Sequence, residues 1–499
     1  MKLSSAAATA GISLLLVAVS LPAQTAGTIS AATSVSKVRI VRLSEVKGAV
    51  QLDRTNGRGL EPAITNLPIV EQNRLQTAAG VAEVEFEDNS SMRLAPDSIV
   101  EFPELSRTAA GTTLSSVHLI KGMAYFTLVK SKGNEFNVIF GNHTIALPPS
   151  THIRLRVNPN DATLAVLDGE LTVNTPQGNM VVSKKKTVTF NVEDGVDPTV
   201  AKNVSSDPFD SWDKQATEYH ARMAAFGAFG NSAYSYGNSD MLYYGAFSDA
   251  GGCGSMWRPY FTSAAWDPYA AGSWAYYSGA GYSYVSPYPW GWTPYHYGSW
   301  NYCPGAGWGW QPGGTWTGLN NGTTMTAFNP SSGNGGNGTG KNPRPIAPPH
   351  PPRPGEPTLI AVGSRPVRSE MASNNSFVFR KDSAGLGVPR GELGELNKFS
   401  QHAIQKGTAS TPVYVSVGGN NPSAVGMRPS SPGLGPVSIH RGSPPPPPER
   451  SSIYSSGGGS YGGGSNSSSP MTSPSSGSVG RPSSPSPSPS PSPSPSRPR

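Results

Sequence analysis

Between Val38 and Asn191 apolar and polar residues alternate in short runs, "VRIVRL", "AEVEFE", "SIVEF", "SVHLI", "AYFTLV", "FNVIF", "HIRLRV" and "TVTF", and no window sustains a 3.6-residue period. A strand sends successive side chains to opposite faces, so each run presents one apolar face and one face of Arg, Glu, Lys and Thr. Turn signals such as "TNGRG", "EDNSS", "VNPND" and "TPQGN" separate the runs. The pattern predicts an all-β domain over residues 38–195, a roll or sandwich of two sheets with its polar faces in water.

The period changes once. In "DPFDSWDKQATEYHARMAAFGAFG", Phe209, Trp212, Ala216, Tyr219, Met223 and Phe226 recur at helical spacing. Asp207 is placed to cap this segment, and Pro208 takes the first helical position. The expectation is one spacer helix over 207–230 whose apolar stripe packs on the β domain or on the aromatic module C-terminal to it; a membrane-surface helix is the alternative.

That module, at 240–318, has a different chemistry. Residues 256–316 hold nine of the ten Trp and ten of the nineteen Tyr, with Arg258 and Asp267 as the only full charges. "WDPYAAGSW" at 266–274 and "WTPYHYGSW" at 292–300 share one aromatic frame, "WRPY" at 257 is a partial copy, and "GWGWQPG" at 307 a terminal one. Aromatics on either side of a Pro/Gly turn suit short hairpins whose rings stack from unit to unit. Two readings stay open for Trp266, Tyr269, Trp274, Trp290, Trp292, Tyr295 and Trp300: they form the core of the module, or they form an exposed platform for sugar faces, with peptidoglycan or another envelope polysaccharide as the partner. The only cysteines, Cys253 and Cys303, bracket both frames. They form a disulfide that closes a loop of about fifty residues, or they remain separate thiols.

Gly 58 and Pro 49 together exceed a fifth of the 499 residues, and they concentrate late in the chain. From residue 320 to 499 the composition predicts a disordered tail, with polyproline II character in "SPSPSPSPSPSPSRPR". From Lys341 onward sixteen Lys and Arg stand against six Asp and Glu. Such a tail either lies on anionic wall polymers or lipopolysaccharide, or is a solvated spacer. A faint patch of order at 375–404 reads as a peptide that folds on a partner. At the other end, Lys2 and the apolar run "AAATAGISLLLVAVSL" precede small residues up to Ala32. The run is shorter than the roughly 20 residues of a membrane-spanning helix, so residues 1–32 read as a signal peptide, with a retained anchor as the alternative. The expected address is the periplasm, the outer-membrane surface or the medium, with no span in the mature chain; that compartment argues against nucleic acid as a partner.

No catalytic constellation stands out. "GGNGTGKN", from Gly335, lacks the hydroxyl of a phosphate-binding loop and the strand before it. "GGSYG" around Ser460 lies inside a glycine run. The eight His are scattered without ligand spacing. The expectation is a non-enzymatic protein with no catalytic residues, no metal and no cofactor.

The stretch "IVEQNRLQTAAGVAEVEFEDNSSMRLAPDSIVEF", followed by "KGMAYFTLVKSKGNEF" and by "LAVLDGELTVNTPQGNMVV", resembles the FecR domain in the order of its short motifs. Gln72 and Asn73 stand where that family has Gly-Asp, and Asn89 where it has the Gly of Asp-Gly-Ser; Asn at 73 and 89 is expected to keep the turns because it tolerates positive φ. "PWGWTPYHYGSW" resembles a Trp/Tyr/Gly-rich module of unknown function that follows FecR-like domains in exported bacterial proteins. The resemblance implies a β-rich envelope protein. The expected function is binding to wall or surface components, such as glycan or envelope proteins; the alternative is a part in envelope signalling, since FecR-type regulators relay an outer-membrane signal to a sigma factor.

Overall fold

The structure is a computed structural model that describes residues 37–191, 198–224, 232–320, 343–363 and 376–412, together with Phe229 and short strands at 325–328, 370–372, 414–415 and 439–440. The signal-peptide segment 1–32, and the tail beyond 440, lie outside the described residues. The described part is mostly β, with four helices.

One long strand organises the β domain. Over its first half, Thr113–Thr127 pairs with Ile99–Arg107 and, in parallel, with Asn134–Phe140. From Gly122 onward it pairs with His152–Val157 and Ser91–Leu94 of the other sheet. Gly122 has φ 92°, and a Cβ there would sit 2.5 Å from Ser98 Cα, so only glycine lets the strand bend past Ser98 and change sheets. The two sheets close on an aliphatic and Phe core that includes Leu43, Val84, Phe102, Val117, Phe126, Phe136, Leu155 and Leu164. Each such side chain contributes about 1.5–3 kcal/mol of burial.

The turns behave as the departures from the family pattern require, with one correction. Asn89 adopts φ 71°, as expected. At the other turn it is Gln72, in the glycine place, that takes φ 67°, while the buried Asn73 accepts the Val70 N–H through Oδ1 at 3.0 Å.

A larger correction concerns the polar face of the sheet. Alternation sends Ala82 and Val84 of the strand Val81–Glu85 to the core and Glu83 and Glu85 to the opposite side, which was expected to meet water. Glu83, Glu85, Arg42 and Arg93 are instead fully buried, because the next elements of the chain cover them.

The first cover is the helix Asp210–Ala224. Asp207 accepts the Phe209 N–H, and Asp210 accepts the Asp207 N–H in return, the reciprocal pattern of a capping box. Its stripe faces inward along both neighbours: Phe209 packs against Ala95, Met123 and Tyr125 of the β domain, and Tyr219 lies edge-on to Tyr243 of the module. Residues 225–228 and 230 lie outside the described residues, as does the side chain of Phe226.

The aromatic module consists of hairpins. Gly245–Asp249 pairs with Ser255–Pro259, Ala271–Tyr277 with Gly281–Val285, and Ser299–Cys303 with Gly307–Gln311. Each nonapeptide is a turn that feeds a strand: the first enters Ala271–Tyr277, and the second makes the single helical turn Thr293–His296 before Ser299–Cys303. The repeated frame therefore encodes one turn-plus-hairpin unit twice.

The expectation of disorder from residue 320 fails in several places. Met325–Phe328 pairs with Ser299–Cys303 of the module and with Pro343–Ile346. Leu359–Gly363 pairs with Ala271–Tyr277 and becomes the third strand of that hairpin. Ser376–Arg380, the helix Leu396–Lys406 and Thr408–Pro412 form a further unit that buries Phe377, Phe379, Leu386, Val388 and Leu396 against the module rings. Tail-wide composition hides these residues, because a few clustered apolar side chains suffice where a ready-made aromatic surface receives them. The patch at 375–404 finds its partner inside its own chain.

Candidate functional site

All seven rings singled out from the sequence are at most 6% exposed. Trp266 packs on Trp300 at 5.7 Å, Tyr269 meets Tyr295 edge-on at 5.4 Å, and Trp290 stacks on Tyr288 at 5.0 Å. Trp292 lies apart from these, against Tyr236 in the core shared with the β domain. Three of their polar ends are used internally: Trp266 Nε1 donates to the Tyr288 hydroxyl at 3.1 Å, Trp290 Nε1 to the Ala384 carbonyl at 2.7 Å, and the Tyr295 hydroxyl to the Pro268 carbonyl at 2.5 Å, while Trp292 Nε1 and Trp300 Nε1 are buried without a hydrogen-bond partner among the described residues. An exposed stacking platform is therefore not what these rings build. The module has few aliphatic residues, so its aromatics must fill its own interior. Cys253 and Cys303 are bridged, with Cα atoms 6.1 Å apart and a separation of 50 positions in the chain.

A pocket of about 230 Å³ opens where the two frames meet. Tyr269 and Trp274 come from the first frame, Tyr295 and His296 from the second, and Tyr282 and Tyr284 from the hairpin strand between them. Ser299, Thr315, Thr317 and Asn320 contribute neutral polar groups, and among the described residues no Asp, Glu, Lys or Arg lines it. His296 Nδ1 donates to the Thr317 carbonyl at 2.6 Å, and its ring stacks on Trp316. Burial pushes its pKa down to about 4. The ring is therefore neutral near pH 7, with its proton on Nδ1 and an acceptor lone pair on Nε2.

A second constellation was not foreseen. Arg42 pairs with Glu85 at 2.9 Å and with Asp240 of the helix Asn238–Tyr244 at 2.8 Å. Arg93 pairs with Glu83 at 2.9 Å and with Asp213 of the spacer helix at 2.8 Å. Arg390, from the segment after Ser376–Arg380, reaches in to Asp240 at 2.9 Å, to Glu85 at 3.1 Å and to Glu83. His220 Nε2 completes the group, 3.0 Å from Glu83. Burial alone would raise the Glu83 carboxyl; His220, Arg390 and Arg93 outweigh it and hold the group well below the usual carboxylate range. Glu85 is lowered in the same way, chiefly by Arg42 against its own burial. The Tyr219 hydroxyl is pushed up by burial and donates to Asp240 at 2.7 Å, under the Arg390 guanidinium. Ligand atoms of Glu83, Glu85 and His220 lie within 4.8 Å of one another, close enough for a cation, but the Arg390 guanidinium already bonds both carboxylates. The alternation in "RIVRL" and "AEVEFE" marks these residues as one face; nothing local says that the face is covered.

Family models match two parts of the chain: FecR protein at residues 73–172, and DUF6600, a family of unknown function, at residues 238–327. The chain carries a FecR domain. It is followed by a DUF6600 region that opens on the helix bearing Asp240 and spans both aromatic frames. The FecR match omits Val41–Lys47, the strand that supplies Arg42, and the DUF6600 match omits Arg390, so the ionic seam joins both matched regions through residues outside them. Two crystal structures of a candidate anti-sigma factor from Parabacteroides distasonis are similar over part of the chain. One, at 2.50 Å resolution, is 14% identical over 26% of this chain and 58% of that chain, with TM-score 0.22. The other, at 1.65 Å, is 12% identical over 32% of this chain and 80% of that chain, with TM-score 0.24. The chain thus spans under two thirds of the first of these. A comparison with curated proteins finds no match.

Proposed function

We propose that this protein is an exported, non-enzymatic component of envelope signalling. The FecR domain at 73–172 carries the reading, because FecR-type regulators work by relaying an outer-membrane signal. The ionic seam supports it physically: four buried carboxylates and three guanidiniums join the FecR sheet, the spacer helix and the DUF6600 region, so a change in one cannot leave the others unmoved without exposing unpaired charge. Export is supported by the bridged Cys253 and Cys303, since disulfides persist in oxidising compartments. Binding to wall polymers through an open face of rings loses its support with their burial.

The test compares transcripts in a deletion strain, in the same strain complemented with the intact gene, and in one complemented with Arg390→Ala. A defined set of genes should change on deletion and return only with the intact gene. An unchanged profile would overturn the signalling role. Mature protein found in the cytosol with its leader attached would overturn export, and clearing of wall glycan in a zymogram would overturn the non-enzymatic reading.

A further inference from the structure

We propose that the pocket between the two aromatic frames binds a single neutral pyranose ring. The inference does not rest on the signalling reading, since the pocket belongs to the DUF6600 region and can be tested on purified protein.

The duplication explains why a pocket exists here. Tyr269 and Tyr295 occupy equivalent places in the two frames and meet edge-on, which leaves a slot beside them bounded by Trp274 and Tyr284. These walls are held before any ligand arrives. The Tyr284 hydroxyl donates to the Ala271 carbonyl at 2.9 Å and the Tyr295 hydroxyl to the Pro268 carbonyl, while the disulfide anchors the end of the strand that carries Ser299. A pre-formed site saves the ordering cost of binding.

The lining selects the ligand. A charged group would enter a slot with no formal counter-charge among the described residues, and burying an unpaired ion is costly. An aliphatic chain would leave the polar groups of the lining residues Ser299, Thr315 and Thr317 facing apolar surface. A neutral pyranose satisfies both requirements: its C–H faces lie on rings, and its hydroxyls exchange hydrogen bonds with neutral donors and acceptors. The volume of about 230 Å³ is below the roughly 300–1,000 Å³ of pockets that hold drug-sized molecules, which limits the occupant to one ring.

The test is saturation-transfer NMR on the full chain with its disulfide intact, using N-acetylglucosamine and glucose as neutral sugars, glucuronate as the charged arm and indole as a flat apolar ring. The neutral sugars should bind with Kd on the order of 1 mM, and glucuronate at least tenfold more weakly. Thr315→Trp fills the mouth from an exposed position, and Ser299→Trp does so from another part of the rim. Each should lower sugar binding at least tenfold with an unchanged thermal midpoint. Absence of transfer to both neutral sugars, full binding by both Trp variants, or indole and glucuronate binding as well as the sugars would each overturn the proposal.

Discussion

The FecR domain and the DUF6600 region solve the same problem with different materials. In the FecR domain an aliphatic face recurs every second residue, two sheets share the bent strand Thr113–Thr127, and side chains such as Val84, Phe126 and Leu155 fill the space between them. The DUF6600 region has short hairpins and few aliphatics. It packs Trp on Tyr and Trp on Trp, directs ring N–H and O–H groups to backbone carbonyls, adds a disulfide, and recruits Leu359–Gly363 as an extra strand. The aliphatic core is specified by pattern and tolerates its surroundings. The aromatic core depends on donors finding acceptors far away in sequence, as Trp290 finds Ala384 across 94 residues, so it depends on the rest of the chain. The ionic seam is where that dependence meets the FecR sheet.

Arg42→Ala should break the comparison most strongly. It leaves Glu85 and Asp240 without their shared partner and removes the bond from Nη2 to the Pro289 carbonyl, at 2.6 Å, that ties the sheet to the module. A loss of about 3–5 kcal/mol is expected. Urea unfolding followed by Trp fluorescence reads the module and spacer helix, because no Trp precedes Trp212, while circular dichroism reads both regions. The two transitions should coincide in the intact chain and separate in the variant; coincidence in both would show that the regions do not depend on the seam.

Replacing both cysteines with serine tests whether the aromatic half needs its closure. The bridge spans 50 residues, and loop entropy assigns it about 4 kcal/mol. The fluorescence transition should move to lower urea by that amount, and an unmoved transition would show that ring packing alone suffices.

A pH comparison sharpens the contrast further. His296 has its folded pKa below the ordinary value, so its contribution is complete above about pH 6.5 and is lost as pH falls toward about 4, where the unfolded chain has already taken up the proton. Between pH 7 and pH 5 the module should lose about 2 kcal/mol through this group, and His296→Gln should flatten that slope. Glu83 and Glu85, held low, add their own loss only below about pH 4.3, outside this window. A slope unchanged in His296→Gln would place the sensitivity elsewhere.

The smallest effects come from exposed apolar residues. Val181→Thr, on the hairpin Glu170–Thr175 with Gly178–Ser183, should stay within about 0.5 kcal/mol. Phe247→Thr, although its residue is 41% exposed, should cost about 1 kcal/mol because the ring leans on Phe229 and Trp310. Equal thermal midpoints for the two variants would remove the distinction between a patterned surface and an aromatic one.

Much of this was legible locally. The alternation located the β domain, Asp207 marked the helix start, and Asn89 kept its turn. Glu83 and Glu85 were identified as one face but assigned to water, because alternation separates two faces without saying what covers either. The segment 375–404 was recognised as a patch of order, but its partner was not, because that partner is the module's own ring surface far away in sequence. The seven rings were found as a set, and their choice between core and platform was settled by their neighbours in space. The pocket could not be read at all, since its walls come from two copies of a motif and its position depends on how the copies meet.

By itself the chain determined its periods: strands where polarity alternates, one helix where it recurs at 3.6, turns where Gly and Asn permit positive φ, and a repeated aromatic unit bracketed by two cysteines. These follow from backbone geometry, which acts over a few residues. Only the tertiary structure decided that the polar face of the FecR sheet would be covered, that Arg390 would complete its charges from 305 residues beyond Glu85, and that two aromatic frames would leave a neutral slot between them. Burial and charge pairing act through space, so no local window contains them.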